Sequence, residues 1–186
     1  MKDIEDELLA FTESPLCEYR TENKYFPVVG EGSCVADIVF IGEAPGKTEA
    51  ETGKPFCGRS GKLLDELIAS IGLVRADVYI TNIVKDRPPE NRDPTAEEIK
   101  IYGLFLDRQL EILKPKVVTT LGRFAMNYIA QKYKVSVGPI GEMHGKVVEL
   151  KSRMSLVPLY HPAVALYNGS HKQTLLDDFQ VLKQFI

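Results

Sequence analysis

Asp37-Ile-Val-Phe-Ile-Gly-Glu-Ala-Pro-Gly46 is the stretch on which the reading of this chain turns. A β-branched apolar run ends abruptly in a turn of glycine, a carboxylate, proline and glycine. In an open α/β sheet, ligands bind where the carboxyl ends of strands meet such loops. Gly42 and Gly46 let the backbone bend tightly and approach a ligand closely, and Pro45 fixes part of that bend. Glu43 is then either a functional group or a local cap.

Outward from this loop, strands and helices alternate. Residues 3–12 predict a short amphipathic helix, and residues 13–36, with Pro15, Pro27, Gly30 and Gly32, read mostly as extended loop. After the first strand at 37–41, Ser60 is the expected N-cap of a helix that buries Leu63, Leu64, Leu67, Ile68 and Ile71 and stops at Gly72. A second strand covers 78–82, followed by a proline-bearing polar loop over 83–94. Thr95 and Glu98 form a capping box for a helix with Ile99, Tyr102, Leu106, Leu110 and Leu113 inward. A third strand at 116–121 turns at Gly122 into a helix ending near Gln131. A hairpin, 146–150 with 154–159, and a last helix over about 172–184 complete the pattern. The expected architecture is one three-layer α/β/α domain spanning 1–186, around a small, largely parallel sheet.

Composition narrows the function classes. The chain has 186 residues, is 44% hydrophobic and carries a formal charge of −3, with a pI near 5.7. That balance argues against non-specific coating of nucleic acid and leaves room for a small basic footprint. No apolar run is long enough for a membrane span, and the acidic start lacks a signal core, so a cytoplasmic protein is expected. Cys17, Cys34 and Cys57 are scattered, odd in number and without a CxxC, which suits a reducing compartment. His144, His161 and His171 form no cluster with cysteine at zinc spacing, so no metal is expected. Gly42–Gly46 also does not make the Gly-x-x-x-x-Gly-Lys-Ser/Thr motif of a phosphate loop.

The loop after the first strand, Asn82 after the second, Leu121-Gly122-Arg123 after the third and Tyr160-His161-Pro162 after the last all fall at one end of such a sheet. Singly, each has an ordinary reading. Glu43 caps a turn, Asn82 makes an Asx-turn, His161 is a turn histidine, Phe56 is core, and Lys85, Arg87 and Arg92 are a solvated loop face. Four coincident strand ends argue for a site.

The blocks in order resemble those of the uracil-DNA glycosylases, closest to the group called family 4. They are Gly42-Glu-Ala-Pro-Gly46, Gly53-Lys-Pro-Phe-Cys-Gly-Arg-Ser-Gly61, Tyr79-Ile-Thr-Asn-Ile-Val-Lys85, Arg87-Pro-Pro-Glu-Asn-Arg-Asp-Pro-Thr95, Leu121-Gly-Arg-Phe124 and Tyr160-His-Pro-Ala163. The resemblance implies a DNA repair hydrolase that flips uracil out of DNA and cleaves its glycosidic bond. It places Gly42, Ala44, Phe56 and Asn82 in the uracil pocket, with Phe56 as the platform for the base. The Asn82 amide would pair with uracil N3–H and O4, a pattern that cytosine reverses. His161 would stabilise the departing anion. Glu43 would face the sugar and handle the water. Glu49 is a second candidate for that role, or crowds out thymine's methyl.

Contacts to DNA are expected from Gly58, Arg59 and Ser60 at a helix start and from Lys85, Arg87, Arg92 and Arg123, all without sequence information. Leu166 or Tyr167 would fill the gap left by the flipped base. The chain also departs from the family. Ala44 stands where a related family carries aspartate. Asn91 lies near the position where a covalently trapping group has histidine, so no trap is expected. Family 4 typically holds an iron–sulfur cluster on four cysteines, and the matching positions here are Phe11, Ser14, Asp86 and Tyr102. The expectation is a monomeric, metal-free, monofunctional glycosylase acting on uracil-containing DNA. The alternative is a non-catalytic DNA-binding relative that lost its activity with the cluster.

Overall fold

The computed structural model describes residues 1–150 and 154–186. Its core is a six-stranded sheet of β1 (Glu31–Gly32), β2 (Ile38–Gly42), β3 (Tyr79–Asn82), β4 (Val117–Leu121), β5 (Val148–Glu149) and β6 (Ser155–Leu159). The order is β1-β3-β2-β4-β6-β5. β3, β2, β4 and β6 run parallel, while the edge strands β1 and β5 pair antiparallel. Every residue of β2, β3 and β4 is buried. A parallel strand covered on both faces has no solvent side on which to alternate, so β2 is a continuous apolar run, and Thr81, Asn82, Thr119 and Thr120 are buried polar residues of β3 and β4.

Two layers cover the sheet. On one face α4 (Arg59–Ser70) and α9 (Ser170–Gln180) bury Leu64, Leu67, Ile68, Leu175 and Phe179 against Phe40, Ile80 and Val157. The Phe40 and Phe179 rings stack at 5.6 Å. On the other, α5 (Ala96–Leu113) and α6 (Arg123–Tyr133) pack Leu106, Leu110 and Ile129 onto Val39, Ile41 and Val118. A third cluster ties α1 (Lys2–Ala10) to α5 through Ile4, Leu8, Tyr102 and Phe105.

The helices α4, α5 and α6 and the β5–β6 hairpin lie where the sequence predicts them, and the capping box forms. The Glu98 N–H donates to Thr95 Oγ1 at 3.2 Å, and the Thr95 N–H donates to Glu98 Oε2 at 2.8 Å. The turn of the hairpin falls outside the described residues. Three short helices, α3 (Lys47–Thr52), α7 (Ile140–Met143) and α8 (Ala163–Tyr167), were not anticipated. Segment 13–36 is not all loop, because α2 (Cys17–Glu22) forms within it. The cap of α4 is Gly58 rather than Ser60. The Gly58 N–H donates to the Glu49 carboxylate at 3.0 Å, and no side chain caps the first turn.

Candidate active site

Parallel pairing of β3, β2, β4 and β6 brings their carboxyl ends to one edge of the sheet. There a cleft of about 380 Å³ is lined by Glu43, Ala44, Gly46, Glu49, Phe56, Ser60, Asn82, Asn91, His161 and Ala163. The loop after β2 is tied to the chain after β3, since the Ile83 and Val84 N–H groups donate to the Gly42 and Glu43 carbonyls at 3.0 Å. A Cβ at Gly42 would sit 2.7 Å from the Phe56 ring and against Asn82 Oδ1. Only glycine lets Phe56 and Asn82 meet here.

Phe56 is buried and held at φ +47°, an uncommon conformation for an aromatic residue. Gly61 secures it, for a Cβ there would run into the Phe56 carbonyl. The ring lies 5.6 Å from the His161 ring. Glu49 spans two turns. It accepts from Gly58 N–H, and its other oxygen packs against Gly46.

Asn82 is 1% exposed, yet its side-chain Oδ1 has no hydrogen-bond partner among the described residues. Buried acceptors are almost always paired, so an orphan facing a cleft marks a place for a ligand's donor.

His161 takes the Ala163 N–H on its Nδ1 at 3.1 Å. A backbone N–H can only donate, so the neutral ring carries its proton on Nε2. Burial pushes the imidazole down to about 4, with Glu49 opposing. The ring is therefore a neutral Nε2–H donor near pH 7. Glu43 moves the other way, up to about 7, through burial and the nearby Asp93 carboxylate, with Arg123 pulling it back. One cleft holds a neutral donor and a carboxylate poised between its two forms, which suits proton handling at physiological pH.

The expected pocket residues Glu43, Glu49, Ala44, Phe56 and Asn82 thus lie together with His161, and Gly42 backs them. The expected DNA contacts divide. Arg59 is exposed on the first turn of α4, and Leu166 and Tyr167 are exposed on α8. Arg123 is exposed and pairs with Asp93 at 2.7 Å. Lys85 must be corrected: it is fully buried, bonded to protein oxygens, and reaches no rim. The Gly58 N–H is committed to Glu49 and is not open to phosphate. Arg92 is clamped in two bonds to Glu98, and Arg87 donates to Asn91 Oδ1 at 2.8 Å and to the Tyr25 hydroxyl at 2.7 Å. Asn91 and Ala163 join the cleft lining, which sequence reasoning had not assigned them. For Asn91 the signal was the Glu90–Asn91 turn, both residues at positive φ; asparagine tolerates that conformation.

Phe11, Ser14, Asp86 and Tyr102, the four positions at which the resemblance implies cluster ligands, come together. Tyr102 hydroxyl donates to Asp86 Oδ2 at 2.5 Å and also meets Ser14 Oγ. Arg20 pairs with Asp86 at 3.0 Å and donates to the Phe11 carbonyl at 2.7 Å. The Phe11 ring packs edge-on against Phe105 at 5.3 Å. This donor set has no thiolate, and its polar atoms are already partnered to one another. It does not fit an iron–sulfur cluster. Among the described residues no group of His, Cys, Asp and Glu is arranged to hold a metal ion, and no helix is long and apolar enough to cross a membrane.

Residues 29–180 match the model of the uracil DNA glycosylase superfamily. The chain is 43% identical to a type-4 uracil-DNA glycosylase of Archaeoglobus fulgidus over 183 residues, 97% of this chain and 90% of that protein. It is 40% identical to a type-4 uracil-DNA glycosylase of Thermotoga maritima, over all of this chain and 94% of that one. Identity to a type-5 uracil-DNA glycosylase of Pyrobaculum aerophilum is 30%, over 82% and 73% of the two chains.

Proposed function

The chain belongs to the uracil DNA glycosylase superfamily, and from that premise we propose that it excises uracil from DNA and leaves an abasic site. The observation that carries the reading is the unpartnered Asn82 Oδ1 in the cleft. Uracil offers N3–H to that oxygen and accepts at O4 from the same amide's NH₂. Cytosine has an acceptor at N3 and a donor at C4, so in this orientation it would leave buried groups unpaired. Phe56 stacks beneath the flipped base.

Cleavage breaks the N1–C1′ bond, and the electron pair leaves with uracil. The His161 Nε2–H donates to uracil O2 as negative charge gathers there, an arrangement typically worth about a hundred- to a thousand-fold in rate. The Glu43 carboxylate faces the cationic sugar and takes a proton from the water that adds to C1′. Ala44 has no group for that task. Glu49, committed to Gly58, buttresses the pocket wall and crowds the base's C5 edge. No step needs a metal, and among the described residues no lysine lines the cleft to form a Schiff base, so the enzyme works as a monofunctional glycosylase. Arg59 and Arg123 meet phosphates, and Leu166 or Tyr167 fills the vacated stack. The protein acts as a monomer.

The test is incubation with single- and double-stranded oligonucleotides bearing one uracil, followed by alkali. Strand breaks are expected with wild type, and fewer by a hundred-fold or so with Glu43→Ala or His161→Ala. Uncut wild-type reactions would favour the non-catalytic alternative.

A further inference from the structure

The fully buried Lys85 is unused by the chemistry described so far. Its Nζ donates to Gln109 Oε1 at 2.6 Å, to Thr81 Oγ1 at 2.7 Å and to the Asn82 backbone carbonyl at 2.7 Å. Each partner can only accept. The Thr81 hydroxyl spends its own proton on the Val29 carbonyl at 2.7 Å, and the Gln109 NH₂ does the same at 2.9 Å. Three acceptors require three N–H donors, which only the ammonium form provides. Burial by itself works against that charge. Among the described residues no carboxylate pairs with it, and only neutral dipoles answer it.

An uncompensated buried charge is expensive, and it sits directly behind the residue that reads the base. Resting on the glycosylase reading above, we propose that Lys85 is a positioning residue that holds Asn82 by its backbone and places a positive charge under the pocket floor, against which uracil leaves as an anion. The low-polarity surroundings let that charge act over the length of Asn82. Gln109, from α5, and Thr81, from β3, fix the ammonium in place.

The experiment compares single-turnover cleavage of oligonucleotides carrying deoxyuridine or 5-fluorodeoxyuridine. The fluorinated base leaves as a more stable anion and needs less help. Lys85→Met removes the charge, and Gln109→Glu keeps the side-chain shape but sets a carboxylate against it. Both variants are expected to slow uracil release by roughly ten- to a hundred-fold and to slow 5-fluorouracil release much less. A purely structural role would slow both substrates by one factor. That result, or an undiminished Gln109→Glu enzyme, overturns the inference; Gln109→Glu alone decides if Lys85→Met does not fold. Wild type that cleaves neither substrate refutes the glycosylase reading itself.

Discussion

Glu43 and His161 line one cleft, and burial drives them in opposite directions. The rate depends on ionised Glu43, so activity is expected to rise with pH through a single limb centred near 7. His161 stays neutral throughout that range. Asp93 raises the Glu43 carboxyl and Arg123 lowers it, so Asp93→Asn moves the limb to lower pH and Arg123→Gln to higher pH. A pH profile of the single-turnover rate reads both shifts, and an unmoved limb in both variants assigns the titration to another group. Stability has its own sign. Glu43 binds its proton more tightly folded than unfolded, so its contribution is full below about 4.5 and is lost as pH rises through about 7. Glu43→Gln should therefore melt higher than wild type at pH 8 and gain less at pH 5, while losing activity. His161 acts in reverse: between about 6.5 and 4 the unfolded chain takes a proton that the folded one refuses, so acid weakens the fold.

At the scale of elements, a buried knot ties α1, α2 and α5 together. Arg20, Asp86, Tyr102 and Ser14 share bonds there, and the loop after β3 leaves from Asp86 toward Asn91. Removing one member of a buried ion pair typically costs about 3–5 kcal/mol. Asp86→Ala should reach that range in denaturant unfolding, because the buried Arg20 keeps its backbone carbonyl partners but loses its counter-ion. Tyr102→Phe, which takes away one hydroxyl and keeps the ring packing, should cost about 1–3 kcal/mol. A negligible loss in both would mean that the loop is held by something else. The α5 cap is simpler: Thr95→Ala removes one bond to Glu98 and should cost about 1 kcal/mol, with cleavage rates unchanged.

For the molecule as a whole, a charge of −3 and the commitment of Arg87 and Arg92 to protein partners predict weak electrostatic binding. Arg59 and Arg123 are the candidates for phosphate, so the log–log salt dependence of binding should have a slope of only about −2, and Arg59→Gln should remove about one unit of it. The purified protein should contain no stoichiometric iron and show no visible iron–sulfur absorbance. The helical and strand periods, the Thr95–Glu98 box and the glycine-rich turn after β2 were all readable in the sequence, because each depends on residues a few positions apart. So was the membership of Glu43, Phe56, Asn82 and His161 in one site, through their places at strand ends and the ordered motif blocks. Lys85 was not. As one cation among several in a polar loop it looks like a rim residue, and only the packing of α5 behind β3 turns it inward onto Gln109 and Asn82. Nor could the sequence distinguish free from committed arginines, since Arg92 is taken by Glu98 and Arg87 by Tyr25 and Asn91 only once the loop is folded. Local order follows from local chemistry and is written in the chain. Which protons are held, and which charges are buried, is decided by neighbours distant in sequence, and so by the tertiary structure alone.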